Sequence, residues 1–240
     1  METMEILPPV PEPLATRLAS PLTSQQGFTW DRKKWATVAH DLPAAGAILN
    51  DLPDSVDREA TREIVQANLV PGRVLGAFIA VYLWGGPGGY GPHRARGVLT
   101  GVRTRGNIDA PVDGSVEDRL LAGADRVRGA GAAEAFRLMN NEGRVKNLGG
   151  AFFTKWLSFA SMVDSTDGDE VAPILDAQVC RWIAANTSGD MQVRLSPSST
   201  QSYCRYLDLL DAWGAPFGRS RAQVELAIFE STGSRAAGGS

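Results

Sequence analysis

A lysine and an aspartate in the middle of the chain have the side chains and the setting that a reaction centre requires. Lys155 is the one amine in an apolar run, where its neighbours include Phe153 and Trp156. Asp176 stands directly before a second helix-like run. An amine in apolar surroundings is a candidate nucleophile, and a carboxylate at a helix start can remain ionised beside a reacting group. The two residues are therefore candidates for catalysis.

Both residues also have a structural interpretation. Lys155 could occupy the one exposed face of its helix, with its stem over the aromatic rings. Asp176 precedes a helical run at the position where an aspartate is a good N-cap, and this role is compatible with catalysis. On the residues alone, the structural interpretation of Lys155 is the more common one.

A pair of glycines precedes the lysine. Gly149 and Gly150 would allow a backbone bend that larger side chains block. The helix that follows begins with unpaired N–H groups, which can bind a phosphate without net positive charge. Two glycines before a helix are by themselves most commonly a plain turn, so phosphate binding is the functional alternative.

Three short segments of this region resemble a known family. The resemblance is to the helix-hairpin-helix DNA glycosylases, and specifically to bacterial proteins related to 8-oxoguanine DNA glycosylase. It rests on Leu148-Gly149-Gly150, Thr154-Lys155 and Ile174-Leu175-Asp176, and it covers about residues 144–184 and, loosely, Val224-Glu225-Leu226. The family hairpin is typically L-P-G-x-G followed directly by T-K. Here Phe152 and Phe153 lengthen that step, and the proline is missing.

The resemblance implies a role for each matching residue. In the family, the hairpin binds DNA phosphates, the lysine after it attacks the sugar, and the aspartate at the next helix start assists. It therefore implies that Leu148, Gly149 and Gly150 bind DNA and that Lys155 and Asp176 are catalytic.

Gln178 lies two positions beyond the aspartate. In the resembling enzymes this place contacts a phosphate near the extruded nucleotide, and an amide could donate the same hydrogen bond. An exposed position on the helix explains Gln178 equally well.

Glycines, prolines and basic residues dominate the segment 85–97, and this composition predicts a loop without regular structure. The functional interpretation is a loop that enters DNA, with Tyr90 or His93 as a wedge or base contact. In that case nearby arginines would lie on phosphates, namely Arg94, Arg96, Arg103 and Arg105. The alternative is a surface loop with solvated arginines.

The composition limits the classes of function. The 240 residues carry a formal net charge of -3, so any DNA contact must be a local basic patch. Two cysteines, Cys180 and Cys204, cannot hold a four-cysteine iron–sulfur cluster, and two histidines make a zinc site improbable. We expect no metal and no cofactor. The longest apolar run, residues 74–84, is too short to span a bilayer, so we expect a soluble, cytoplasmic protein without membrane contact.

Helical periodicity organises most of the chain. It predicts an all-α fold, either one helical domain or two helical lobes with a cleft between them, and the resemblance implies that this fold is of the helix-hairpin-helix glycosylase type. Residues 1–26 are expected to form an extended lead, residues 27–230 the helical domain, and residues 231–240 a flexible tail. The expected assembly state is a monomer.

The resemblance, and not the composition, carries the functional expectation. It implies a DNA glycosylase that extrudes a modified nucleotide from double-stranded DNA and leaves an abasic site, with strand cleavage left open. The base would be 8-oxoguanine or a hypermodified phage base, the latter implying anti-phage defence. The alternatives are a non-catalytic helix-hairpin-helix DNA-binding module and a helical protein-interaction domain.

Overall fold

Helices form nearly all the regular structure in the computed structural model, which describes residues 7–22, 25–86 and 91–233. The predicted all-α class is confirmed. The helices in these ranges are α1 (Glu12–Leu18), α2 (Arg32–Ala36), α3 (Pro43–Asp51), α4 (Arg58–Ala67), α5 (Val74–Gly85), α6 (Gly91–Thr100), α7 (Ser115–Asn140), α8 (Gly150–Ser161), α9 (Ala177–Asn186), α10 (Thr200–Gly214) and α11 (Arg221–Gly233).

Short elements connect these helices. The 3-10 turns are Thr37–Ala39, Arg105–Asn107, Gly189–Met191 and Ala215–Phe217. Two-residue strands, β1 (Phe28–Thr29) and β2 (Ser55–Val56), pair antiparallel. A strand of two residues is too short to show alternating polarity in the sequence. In the described ranges, none of the helices combines the length and the apolar character needed to cross a bilayer.

Helix α5 is the centre of the packing. Its residues from Val74 to Trp84 are all buried, and it packs against α3, α4 and α8. A helix that is apolar on every side must be surrounded in this way. Gly76 permits the close approach of α3, since a Cβ there would lie 2.5 Å from Ile48 Cδ1. The buried apolar side chains along the chain form one continuous cluster around this helix.

Helices α7 and α8 lie along each other. Gly131 has a φ of 82° and interrupts α7, so this helix consists of two runs joined at a kink. Trp156 Nε1 donates to the carbonyl of Leu120 at 3.0 Å across the α7–α8 interface. This bond joins α8 to α7 on one side, while α5 packs against α8 on another.

The expectation of an extended N-terminal lead is wrong for residues 12–18. These residues form α1, which packs against α11 with Leu14 and Leu18 buried. Trp213 Nε1 donates to the carbonyl of Pro8 at 2.9 Å and holds the chain before the helix. Five prolines in the first 21 residues suggested an open chain, but two leucines four positions apart supply the apolar face that a docked helix needs.

The expectation of irregular structure in the glycine-rich segment is wrong from residue 91 onward, where α6 begins. Its glycines allow close backbone contacts. A Cβ at Gly91 would lie 2.1 Å from the carbonyl oxygen of Gly86, and one at Gly97 would lie 3.0 Å from that of Val102. Glycine here permits tight packing of a helix instead of preventing one.

The predicted phosphate contact by Arg96 is wrong, because its side chain is fully buried. Its terminal nitrogens donate to both carboxylate oxygens of Asp41 at 2.7 Å each. The same guanidinium donates to the carbonyls of Val38, Asn107 and Ala110. This arginine therefore ties α6 to the chain before α3 and to the loop before α7.

We expect Arg96→Met to lower the free energy of unfolding by on the order of 3 kcal/mol, because it leaves three carbonyls and a carboxylate without their donor. Urea denaturation measures this loss. Arg94→Met, at an exposed position of the same helix, should change stability by less than about 0.5 kcal/mol. An Arg96→Met protein of unchanged stability and weakened DNA binding would restore the phosphate role.

Candidate active site

Lys155 lies inside α8 with only 8% of its surface exposed. Its aliphatic stem fills the space left by Gly85 at the end of α5, where a Cβ would lie 2.7 Å from Lys155 Cδ. Its Nζ stands 5.7 Å from the centre of the Phe152 ring. The alternative of a lysine on the exposed helix face is therefore wrong, because α5 covers that side of α8.

Asp176 is the N-cap of α9 and the ion-pair partner of the lysine. Its Oδ1 accepts from the backbone N–H groups of Gln178 at 2.9 Å and Val179 at 3.1 Å. Its Oδ2 accepts from Lys155 Nζ at 3.1 Å. The capping and the chemical interpretations therefore coexist, since each carboxylate oxygen has its own partner.

The carboxyl group of Asp176 is held in its ionised form. Burial by itself would raise its pKa, but the positive charge of Lys155 and the hydrogen bonds at both oxygens outweigh burial and bring the pKa below 3.8. Because the folded-state pKa is depressed, this group stabilises the fold above its unfolded pKa, and the contribution is lost as the pH falls through the folded value.

The buried segment before Asp176 is fixed by side chains that the sequence did not identify as part of the site. Tyr203 Oη donates to the carbonyl of Pro173 at 2.9 Å, and Tyr206 Oη donates to that of Ile174 at 3.0 Å. Both tyrosines are fully buried in the core. Their spacing places two hydroxyl groups on one side of α10, but sequence alone cannot show which carbonyls they reach.

Thr154 connects this segment directly to α8. Its Oγ1 donates to the carbonyl of Gly150 at 2.8 Å and accepts from the backbone N–H of Leu175 at 3.3 Å. Thr154, directly before the candidate nucleophile, is thus hydrogen-bonded to Leu175, directly before the candidate carboxylate. This explains physically why a threonine stands beside Lys155.

Lys155 and Asp176 line a pocket of about 120 Å³. A second ion pair lies in its wall, where Arg58 Nη2 donates to Glu225 Oε2 at 3.3 Å with both side chains buried. Burial raises the pKa of Glu225, and the positive charge of Arg58 opposes this. The sequence provided no signal for Arg58, which follows the cap of α4, and only a loose one for Glu225.

The turn before α8 differs from the expected glycine hairpin. Asn147, with a φ of 68°, takes the left-handed conformation, whereas Gly149 has an ordinary φ of −90°. Gly150 is required for space, since a Cβ there would lie 1.6 Å from the carbonyl oxygen of Pro197. Gly149 is exposed and gives the first turn of α8 no side-chain cap. Leu148 is buried, so it can offer DNA only its backbone.

A groove of about 480 Å³ lies beside this turn, and several of the residues predicted to contact DNA line it. His93, Arg94 and Arg103 are exposed and line it together with Gly149. Burial raises the pKa of Tyr82, at the groove floor, to about 12, with the charges of Arg94 and Arg103 acting in the opposite direction. The two guanidinium groups therefore act on the same surface.

Phe152 lies close to both the groove and the lysine. Its ring stacks on that of Tyr82 with centroids 4.0 Å apart and lines the groove, and Lys155 Nζ lies 5.7 Å from its centre. The two extra phenylalanines that separate this sequence from the family hairpin thus include one whose ring lines the groove.

The remaining predicted contacts lie outside the groove. Gln178 is exposed at the start of α9 and lines the pocket of Lys155 and Asp176, and its Oε1 accepts from Thr232 Oγ1 at 3.3 Å. Tyr90 and the side chain of Arg105 fall outside the part of the chain that the structure describes. In the described part, no group of three or more histidine, cysteine, aspartate or glutamate side chains is arranged to hold a metal ion.

Comparison with known proteins identifies the family of this chain. A family model matches residues 22–229, which include the turn before α8, the ion pair and both cavities. No curated protein and no solved structure matches the chain significantly. Because the match spans far more than half of its length, the chain belongs to the family described as "Putative 8-oxoguanine DNA glycosylase OGG-like protein".

Proposed function

We propose that this protein excises a modified base from double-stranded DNA, with Lys155 as the nucleophile and Asp176 as the assisting carboxylate. The observation that carries the proposal is the 3.1 Å contact between Lys155 Nζ and Asp176 Oδ2 inside a pocket. A non-catalytic DNA-binding module would have no need to bury an amine and a carboxylate together, since desolvating two charges is costly.

The chemistry follows from this contact. The Lys155 ammonium first passes a proton to water, which frees the lone pair of its nitrogen. The nitrogen then attacks C1′ of the extruded nucleotide, forms an N–C1′ bond and passes a second proton to water. The bond between C1′ and the base breaks, and the base leaves with its electron pair and takes up a proton. The negative charge of Asp176 stabilises the positive charge that develops on the sugar in the transition state.

The covalent product determines whether strand cleavage follows. Opening of the sugar ring at C1′ converts the N–C1′ bond into a protonated imine, in which the ring oxygen leaves as a hydroxyl group. Elimination of the 3′ phosphate from this imine would cleave the strand. The family description supports 8-oxoguanine as the first base to test, and a hypermodified phage base is the alternative.

The groove supplies the surface for the DNA backbone. Arg94 and Arg103 add positive charge next to the exposed Gly149, at the start of α8. Phosphates are attracted by arginines and by the amides and dipole of a helix N-terminus. An overall charge of -3 therefore does not prevent a local interaction with DNA.

Replacement of both Arg94 and Arg103 by alanine should weaken binding to a DNA duplex. It should also make the slope of the logarithm of the binding constant against the logarithm of the salt concentration shallower by about two. Each arginine–phosphate contact contributes about one to the size of that slope. Fluorescence anisotropy at several salt concentrations measures the slope. Lys33→Ala/Arg126→Ala removes the same charge from exposed positions outside the groove, and it should leave the slope unchanged. Equal losses in both double variants would contradict a local DNA groove.

Asp176→Asn should lose base excision by at least about 100-fold, because asparagine caps a helix nearly as well but carries no negative charge. It also leaves the Lys155 cation without its partner, which costs on the order of 3–5 kcal/mol, so circular dichroism must confirm folding. Single-turnover base release, followed by alkali cleavage, measures the rate. Asp31→Asn is the matched control, since Asp31 caps α2 with a bond from Lys34 N but lies outside the pocket. A fully active Asp176→Asn enzyme would leave Asp176 only its capping role.

Lys155→Gln should abolish covalent trapping of the protein on DNA by borohydride, because trapping requires an imine that only an amine can form. Binding to abasic DNA should persist. Removal of the cation costs on the order of 1–3 kcal/mol, so circular dichroism must confirm folding. Lys33→Gln, at an exposed site on α2, should trap like the parent. Base release by Lys155→Gln without trapping would assign the attack to water, and undiminished trapping would exclude Lys155.

A further inference from the structure

Glu225 on α11 is a second carboxylate in the wall of the pocket that Lys155 and Asp176 line. Its side chain is 4% exposed, and its Oε2 accepts from Arg58 Nη2 at 3.3 Å. Its Oε1 has no hydrogen-bond partner in the described part of the chain. Unpaired polar atoms that lack accessible surface occur in the same wall, Arg58 Nε among them, but Oε1 is not one of these. This oxygen therefore remains accessible from the pocket.

The two carboxylates of the pocket differ in their basicity. Asp176 accepts from two backbone N–H groups and from Lys155, and its pKa lies below 3.8. Burial raises the pKa of Glu225, although the positive charge of Arg58 opposes this. Glu225 is therefore the stronger base of the two, and its ion pair with Arg58 favours the ionised form that can accept a proton.

We propose that Glu225 is the proton acceptor that activates Lys155. Its Oε1 takes up, through a water molecule, the proton that the lysine ammonium releases before the attack on the sugar. This inference rests on the proposed function, because it requires Lys155 to be the nucleophile. The ion pairs join Glu225 to Arg58 and Lys155 to Asp176, so a transfer between the two pairs passes through water. A pocket of about 120 Å³ has room for water, and a base can act through one water molecule.

The transfer conserves charge inside the pocket. The ammonium of Lys155 loses a proton and becomes a neutral amine with a free lone pair, and the carboxylate of Glu225 gains a proton and becomes a neutral acid. Asp176 stays ionised on the backbone N–H groups that it caps, and the guanidinium of Arg58 keeps its place 5.8 Å from the centre of the Trp84 ring. The formal charges of the four ionisable side chains sum to zero before and after the transfer, so the buried site carries no net charge at either stage.

The titratable groups around Glu225 come from four helices. They are Arg58 on α4, Lys155 on α8, Asp176 at the start of α9, and Tyr203 and Tyr206 on α10. Burial raises the pKa of both tyrosine hydroxyl groups far above the ordinary value, so both keep their protons between about pH 6 and pH 9. Asp176 is ionised and Arg58 is protonated throughout this range. The proton that moves in the pocket is therefore shared by Lys155 and Glu225.

The test is the pH dependence of adduct formation at Lys155. The protein is mixed in excess with DNA that carries an abasic site, and borohydride traps the imine at successive times between about pH 6 and pH 9. A transfer from Lys155 to Glu225 exchanges no proton with the solvent, so the rate of the parent protein should be nearly constant over this range. In Glu225→Gln the amine can lose its proton only to the solvent. Its rate should be lower by about 100-fold near pH 7 and should recover about tenfold for each unit of rise in pH.

This pH profile distinguishes a proton acceptor from a structural residue. A structural role of Glu225 would lower the rate by the same factor at every pH. The loss of a negative charge would by itself favour the neutral amine, so it cannot explain a slower reaction.

Further variants separate the missing base from the unpaired arginine. Arg58→Met/Glu225→Gln removes the cation that Glu225→Gln leaves unpaired, and it should show the same pH-dependent loss. Glu225→Asp keeps a carboxylate and should keep the flat profile. Glu230→Gln is the control on the same helix, since it removes a carboxylate that pairs with Arg17 outside the pocket. It should leave the rate and its profile unchanged, and circular dichroism confirms the folding of each variant.

The outcomes separate this inference from the function on which it rests. An unchanged rate in Glu225→Gln, or a loss that is equal at every pH, would overturn proton transfer to Glu225 and leave Lys155 as the nucleophile. If Glu225→Gln does not fold, the profile of the double variant decides in the same way. A parent protein that forms no adduct with abasic DNA, or a Lys155→Gln protein that traps equally well, would overturn Lys155 as the nucleophile, and this inference with it.

Discussion

The contact between Lys155 and Asp176 is the interaction on which the rest of the site depends. It joins residues 21 positions apart, and both side chains are largely removed from water. A buried charge is tolerable only when it is paired, so each residue requires the other at its place. Because the same carboxylate also caps α9, the contact couples the position of α8 to the beginning of α9. The position of the amine therefore depends on the position of the carboxylate.

Close packing maintains the surroundings of this ion pair. The lysine stem occupies the space beside Gly85, and Gly150 presses against the carbonyl of Pro197 at the other end of the site. Thr154 and two tyrosine hydroxyl groups fix the buried segment that leads to the carboxylate. Electrostatic interactions in such a setting are stronger than in water, and they need no reorganisation when charge develops on a bound molecule.

The Lys155 pocket and the groove beside α8 differ in their charge. Two ion pairs, Lys155–Asp176 and Arg58–Glu225, line the pocket, so their formal charges cancel. Outside, Arg94 and Arg103 are exposed in a groove beside the start of α8. A protein with a net charge of -3 can thus present positive charge on one surface while the residues of its buried ion pairs carry no net charge.

The sequence by itself determined the helical class, because periodicity is a local property. Its short family motif also singled out Lys155 and Asp176 as candidate catalytic residues, but their contact is a result of the tertiary structure. Only the tertiary structure decided which arginines are exposed. Arg96 and Arg94 stand on the same segment, yet one bonds to a carboxylate 55 positions away and the other lines the groove. Likewise, Arg58 joins the pocket only through a glutamate 167 positions away. Such partners are determined by how the helices pack in three dimensions. The spacing of residues within one segment of the sequence therefore cannot identify them.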